Sequence, residues 1–306
     1  MDGSPSVKFC KKELRVATDT DFSGLWIPLI TPFHQGKVDL PSLKALVKRL
    51  RADGIKGIVA CGSTGEAAAL DKTEQLEVLG ATLEAAQGLP VVMGMSGYNL
   101  PETTTWVREL AAWPLAGLLV PAPHYVRPSQ AGLLHWFTTL ADASAAPLIV
   151  YDIPYRTGVQ LQRQTLLELA LHPRIQAIKD CGGDAAKTLA LIAQGKLQVL
   201  AGEDLQMFAT VAQGGAGAIA ASAHLETASF VRMVALLRAG ELAEARRLWT
   251  TLLPWIEAVF AEPNPAPIKA MLAHHGLIHN ELRAPMTLCS SEHAAHMQRL
   301  QFGRNP

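Results

Sequence analysis

The sequence predicts an α/β fold, a (β/α)₈ TIM barrel with a C-terminal helical appendage. Eight short apolar, β-branched runs alternate with longer segments of helical periodicity. The runs are almost continuously apolar, as in a sheet covered on both faces and therefore parallel. The first run ends in TPFHQG and no Gly-rich phosphate loop follows it, which argues against an open doubly wound sheet.

In order, the runs are Trp26 to Phe33, Gly57 to Cys61, Val91 to Met95, Gly117 to Val120, Leu148 to Ile153, Ile175 to Lys179, Leu197 to Ala201 and Gly217 to Ala221. Their starts lie about 20 to 34 residues apart, roughly one βα unit each. Helix signals fill the gaps. Asp39 can cap a helix whose first turn holds Pro41, whose apolar face is Leu43, Leu46, Val47 and Leu50, and which Gly54 ends. Lys72 to Ala86 reads the same way, with Gly88 and Pro90 before the next strand. After the eighth run His224 to Ala239, Leu242 to Phe260 and Ala266 to His274 show helical spacing, more than one barrel-closing helix needs. Glu262 to Pro267 reads as a turn between helices. The division that follows is an N-terminal arm (1–22), a barrel (23–240) and a C-terminal helical region (241–306).

Composition narrows the function. The formal net charge is zero, so a general affinity for nucleic acid or an acidic membrane is not expected. Cys10, Cys61, Cys181 and Cys289 form no C-x-x-C pair and read as free thiols in a reducing compartment. With no apolar signal region at the start and no run long enough to span a bilayer, the expected location is cytoplasmic. Gly215-x-Gly217-x-x-Ala220 precedes a strand, the wrong context for a dinucleotide loop. His275 and His279 have i,i+4 spacing, but there is no H-E-x-x-H and no nearby carboxylate triad in the sequence, so no metal site is expected.

Barrel active sites lie at the C-terminal ends of strands. That rule selects GSTGE (62–66), PAPHY (121–125), YDIPYRTG (151–158), Lys179-Asp180 and GED (202–204). Lys179 ends an apolar run and should point into the barrel mouth. A lysine taken out of water favours its neutral amine, the form that attacks a carbonyl. The alternative is a structural ion pair. Tyr151 and Tyr125 are either packing residues or proton carriers. Ser63 and Thr64 are either a helix N-cap, with Glu66 in the first turn, or part of a turn whose N–H groups bind a carboxylate. Arg156 suits a carboxylate if it points inward.

Seven stretches occur in one order: IPLITPF, GIKGIVACGSTGEAAAL, HYVRPSQAGLLHWF, YDIPYRTG, AIKDCGGD, GGAGAIAAS and NPAPIKAML. Together they resemble the dihydrodipicolinate synthase and N-acetylneuraminate lyase family of class I aldolases, from about Gly24 to Pro285. The resemblance implies a homodimer or homotetramer that needs neither metal nor organic cofactor. It implies Lys179 as Schiff-base lysine, Tyr151 as adjacent proton donor and acceptor, and Tyr125 as a relay reaching into a neighbouring subunit. It further implies Ser63 as the link between the phenols, Thr64 as a carboxylate ligand, and Gly202 and Ile219 as pyruvate-pocket lining. The arginine of P-x-R-T-G, here Arg156, favours the synthase branch, which joins pyruvate to aspartate 4-semialdehyde in lysine and diaminopimelate biosynthesis. The alternative is another keto-acid lyase or dehydratase of the family. Two positions depart from the synthase pattern: Ser63 stands where Thr is usual, and Asp152 where Asn is usual.

Overall fold

The computed structural model of the protein describes residues 20–300. Eight parallel strands close into a barrel: β1 (Gly24–Pro28), β2 (Gly57–Ala60), β3 (Val91–Gly94), β4 (Gly117–Pro121), β5 (Leu148–Asp152), β6 (Ile175–Asp180), β7 (Gln198–Ala201) and β8 (Gly217–Ile219). β8 pairs with β1, so no sheet edge is left open. All eight expected runs carry a strand. The first run is shorter than expected, because Gln35 and Gly36 both take positive φ (52° and 77°) and form the two-residue turn of a small hairpin. That hairpin draws Phe33–His34 out of the run and pairs it with Lys37–Val38.

Period-2 alternation sorts the strand residues into two shells. Trp26, Val59, Val92, Leu119, Ile149, Ala177, Leu200 and Ile219 fill the barrel interior. Their alternates pack outward against the helices. Phe22 and Trp26 plug the floor, where the indole N–H donates to the Phe22 carbonyl at 2.7 Å. Of the residues assigned to an arm, 1–19 lie outside the described residues, and the amide of Thr20 is held by the Gln176 side chain at 3.0 Å.

The helix Leu40–Ala52 starts at Asp39, whose carboxylate accepts from the Ser42 amide, and buries Leu43, Leu46, Val47 and Leu50 as the spacing requires. Helices Thr227–Arg238, Leu242–Val259 and Ala266–His274 cover the end of the chain. A further helix, Ser291–Leu300, was not evident in the sequence. It is largely polar, burying only Met297 among its residues. No helix among the described residues is long and apolar enough to cross a membrane.

Candidate active site

Alternation and register together place the two central side chains. Tyr151 lies two residues after the inward Ile149, and Lys179 two after the inward Ala177, so both point into the barrel mouth. They are direct cross-strand partners on β5 and β6. The Lys179 amine consequently donates to the Tyr151 phenol oxygen at 3.3 Å and lies 4.4 Å from the ring centroid. Lys179 is only 5% exposed. The alternative of a structural ion pair is not met: no carboxylate within salt-bridge distance of Lys179 is found among the described residues.

A cavity of about 300 Å³ opens above this pair. Seven of the eight anticipated residues line it: Ser63, Thr64, Tyr151, Arg156, Lys179, Gly202 and Ile219. Burial lifts the Tyr151 phenol well above its ordinary range, and a hydrogen bond with the Ser63 side chain offsets part of that rise. Gly202 has a steric role. A Cβ there would lie 2.8 Å from Lys179 Cγ and closer still to the Cys181 sulfur. The missing side chain leaves the lysine stem its path along β6.

Tyr125 is the residue that does not join the others. It follows β4, is 87% exposed and takes φ +73°, a costly conformation for a bulky side chain. Its ring stands 6.5 Å from that of Tyr98, itself 57% exposed.

Ser63 and Thr64 do not cap a helix. The helix Lys72–Ala86 starts eight residues later, with Asp71 and Glu74 forming its capping box. The 62–66 turn is held instead by the C-terminal region. Asn264 donates to the Thr64 hydroxyl oxygen at 3.0 Å, and the hydroxyl can still donate its own hydrogen. Glu66 forms a buried ion pair with Lys269 and accepts from the Arg283 amide at 3.1 Å. Among the described residues, no group of three or more His, Cys, Asp or Glu could hold a metal ion.

Residues 21–301 match the model of the dihydrodipicolinate synthetase family. The chain belongs to that family. It is 36% identical over 285 residues to a 4-hydroxy-tetrahydrodipicolinate synthase of Haloarcula marismortui, covering 92% of this chain and 93% of that one. Against the Enterococcus faecalis enzyme of the same name the identity is 37% over 270 residues, covering 86% and 92%. Among solved structures, a dihydrodipicolinate synthase of Acinetobacter baumannii complexed with pyruvate superposes with a TM-score of 0.88 at 30% identity, covering 91% of this chain and 97% of that one. The Thermotoga maritima dihydrodipicolinate synthase superposes equally well, at 28% identity and 92% and 97% coverage.

Tyr155, Glu203, Asp204 and residues 260–264 also line the pocket; the first three lie in stretches the strand-end rule selected without assigning them a role, and 260–264 were missed. For Glu203 and Asp204 the signal lay in GED at the end of β7. Asn264 opens NPAPIKAML, a stretch that matched the family while its Pro-rich start read only as a turn.

Proposed function

We propose that the chain is a lyase that condenses pyruvate with aspartate 4-semialdehyde, through an imine on Lys179, to give 4-hydroxy-tetrahydrodipicolinate for lysine and diaminopimelate synthesis. The observation that carries this reading is the buried Lys179 amine 3.3 Å from the Tyr151 phenol, at the floor of a pocket with a guanidinium at its mouth. Family membership and the names of the relatives support the same reaction.

The chemistry follows from the groups present. The neutral Lys179 amine attacks the keto carbon of pyruvate. Tyr151 keeps its proton through neutral pH, because burial penalises the phenolate. It delivers that proton to the carbinolamine oxygen as water leaves. The phenolate so formed, beside the iminium, takes a proton from the methyl group and yields the enamine. The enamine carbon bonds to the aldehyde carbon of the second substrate, and Tyr151 returns its proton to the new alkoxide. The amine of the second substrate then attacks the imine carbon, closes the ring and releases Lys179. Thr64 holds the keto-acid carboxylate through its free O–H hydrogen, Arg156 holds the carboxylate of the semialdehyde, and Gly202 and Ile219 shape the pyruvate end. Ser63 connects Tyr151 to Tyr125, which serves the pocket of a neighbouring subunit in a homodimer or homotetramer. Cys61 and Cys181 are free thiols, in keeping with work in the cytoplasm.

Borohydride added with pyruvate should leave a reduced, covalent adduct on the Lys179 peptide, read by mass spectrometry. An adduct that persists in Lys179→Ala, or a wild-type peptide left unmodified, rules the mechanism out.

A further inference from the structure

The pairing of β5 with β6 runs one residue past the end of β6: the Cys181 amide donates to the Asp152 carbonyl at 2.8 Å. Cys181 therefore stands two residues after Lys179 on the same inward face, in the interior cluster that holds Tyr151, Leu200 and Ile219. The thiol and the lysine stem lie against one spot. A Cβ added at Gly202 would meet the Cys181 sulfur and, at 2.8 Å, Lys179 Cγ. Cys181 is buried and is not among the residues lining the Lys179 pocket. Burial lifts its thiol well above the ordinary range, so it remains an S–H donor, and the Glu203 carboxylate accepts from it.

The charged and titratable groups around Lys179 are Tyr151 on β5, Arg156 after β5, Cys181 on its own strand, Glu203 and Asp204 after β7, and Glu262 from the C-terminal region. The three carboxylates differ in their commitments. Asp204 accepts from the Ser222 amide at 2.7 Å and from the Ser222 hydroxyl at 2.6 Å. Glu262 accepts from the amide and hydroxyl of Ser290. Glu203 has no cation partner among the described residues. It directly follows Gly202, which lies against the lysine stem, so a turn of its side chain would carry an anion toward the amine. The amine instead meets the Tyr151 phenol. A carboxylate beside an amine favours the ammonium form, which cannot attack a carbonyl.

We propose that Cys181 is a positioning residue: its S–H draws the Glu203 carboxylate away from Lys179 and so leaves the amine free to act as the nucleophile. The role rests on the aldol reading of Lys179 and concerns the imine step, before any second substrate enters. A thiol suits the place. It packs as a small apolar group among the interior side chains, and it donates a hydrogen while carrying no charge.

The test is the rate of imine formation with pyruvate, read by timed borohydride trapping from about pH 6 to 9, where a desolvated lysine gives up its proton. Cys181→Ala releases Glu203, so half-maximal trapping should move up by about one pH unit, a tenfold slower rate on the acid side. Cys181→Ser keeps a donor in place and should follow the wild-type profile. Cys181→Ala combined with Glu203→Gln should return to that profile, because no carboxylate is left to pair with the amine. A packing defect at the buried site would instead slow trapping at every pH and persist in the double variant. Glu203→Gln alone leaves the buried position intact and should match the wild type, because the thiol already holds the carboxylate off. An unchanged profile in Cys181→Ala, a shift that survives in the double variant, or a downward shift in Glu203→Gln overturns this inference alone. A wild-type protein that forms no pyruvate adduct overturns the aldol reading and this inference with it.

Discussion

Asp204 and His224 show what burial does to single residues around the pocket. Burial pushes the Asp204 carboxyl up to about 6, against the pull of its Ser222 hydrogen bonds. His224 accepts from the Ile30 amide at 3.1 Å and donates to the Ala221 carbonyl at 2.8 Å, and burial drops it to about 4. The two act on stability in opposite directions. Between about pH 4 and 6 the folded chain holds the Asp204 proton more tightly than the unfolded chain does, so acidification stabilises through Asp204. Between about pH 6.5 and 4 the unfolded chain binds the His224 proton more readily, so acidification destabilises through His224. Each effect is about 3 kcal/mol, and they largely offset one another. Asp204→Asn should therefore steepen the fall in Tm from pH 6.5 to 4, and His224→Gln should flatten it. Thermal melts across that range check both signs, and superimposable curves for the three proteins would refute the account. Lys179 and Tyr151 were legible from sequence because strand alternation and the strand-end rule are local. Asp204 and His224 were not, because their partners come from other segments.

The ends of β5 and β6 form one unit through a buried network. The Lys187 ammonium pairs with the Asp152 carboxylate and also donates to the Leu161 carbonyl at 3.3 Å. Asp180 accepts from the Gly182 amide at 2.9 Å and from the Thr188 hydroxyl. Each acidic residue directly follows a central residue, Asp152 after Tyr151 and Asp180 after Lys179, so the network fixes the two strand ends that carry those side chains. It also accounts for an acidic residue at position 152. A carboxylate is tolerable there because Lys187, 35 positions along the chain, neutralises it. Sequence reading could not pair them, since nothing local links a strand end to the helix that follows the next strand. Lys187→Met should cost about 3 to 5 kcal/mol by leaving a buried charge unpaired, whereas Lys187→Met with Asp152→Asn should recover most of it. Denaturant melts of the single and double variants decide the matter. Equal stability of the two would mean that the pair does not couple.

At the scale of the whole molecule, Tyr125 and the C-terminal region show how widely the site is drawn from. Tyr125, Tyr98 and Val126 leave apolar surface exposed around a strained residue that is not among those lining the Lys179 pocket. Mixing inactive Tyr125→Phe protein with inactive Lys179→Ala protein should restore some activity, because a hybrid dimer then holds one pocket with both wild-type groups. No recovery after verified subunit exchange would count against a shared site. The barrel was legible in the sequence as a repeat, but the pocket wall was not: Asn264 reaches Thr64 across 200 positions. That span has a consequence for the order in which the protein becomes active as it is made. All eight strands have been synthesised by Ile219, so the Lys179 amine and the Tyr151 phenol can be in place while the chain is still growing. Asn264, Lys269 and Arg283, which hold the 62–66 turn, follow 45 or more positions later. A growing chain that has reached only Ile219 thus lacks the contacts that fix the 62–66 turn, and that side of the pocket is complete only once Arg283 has been made.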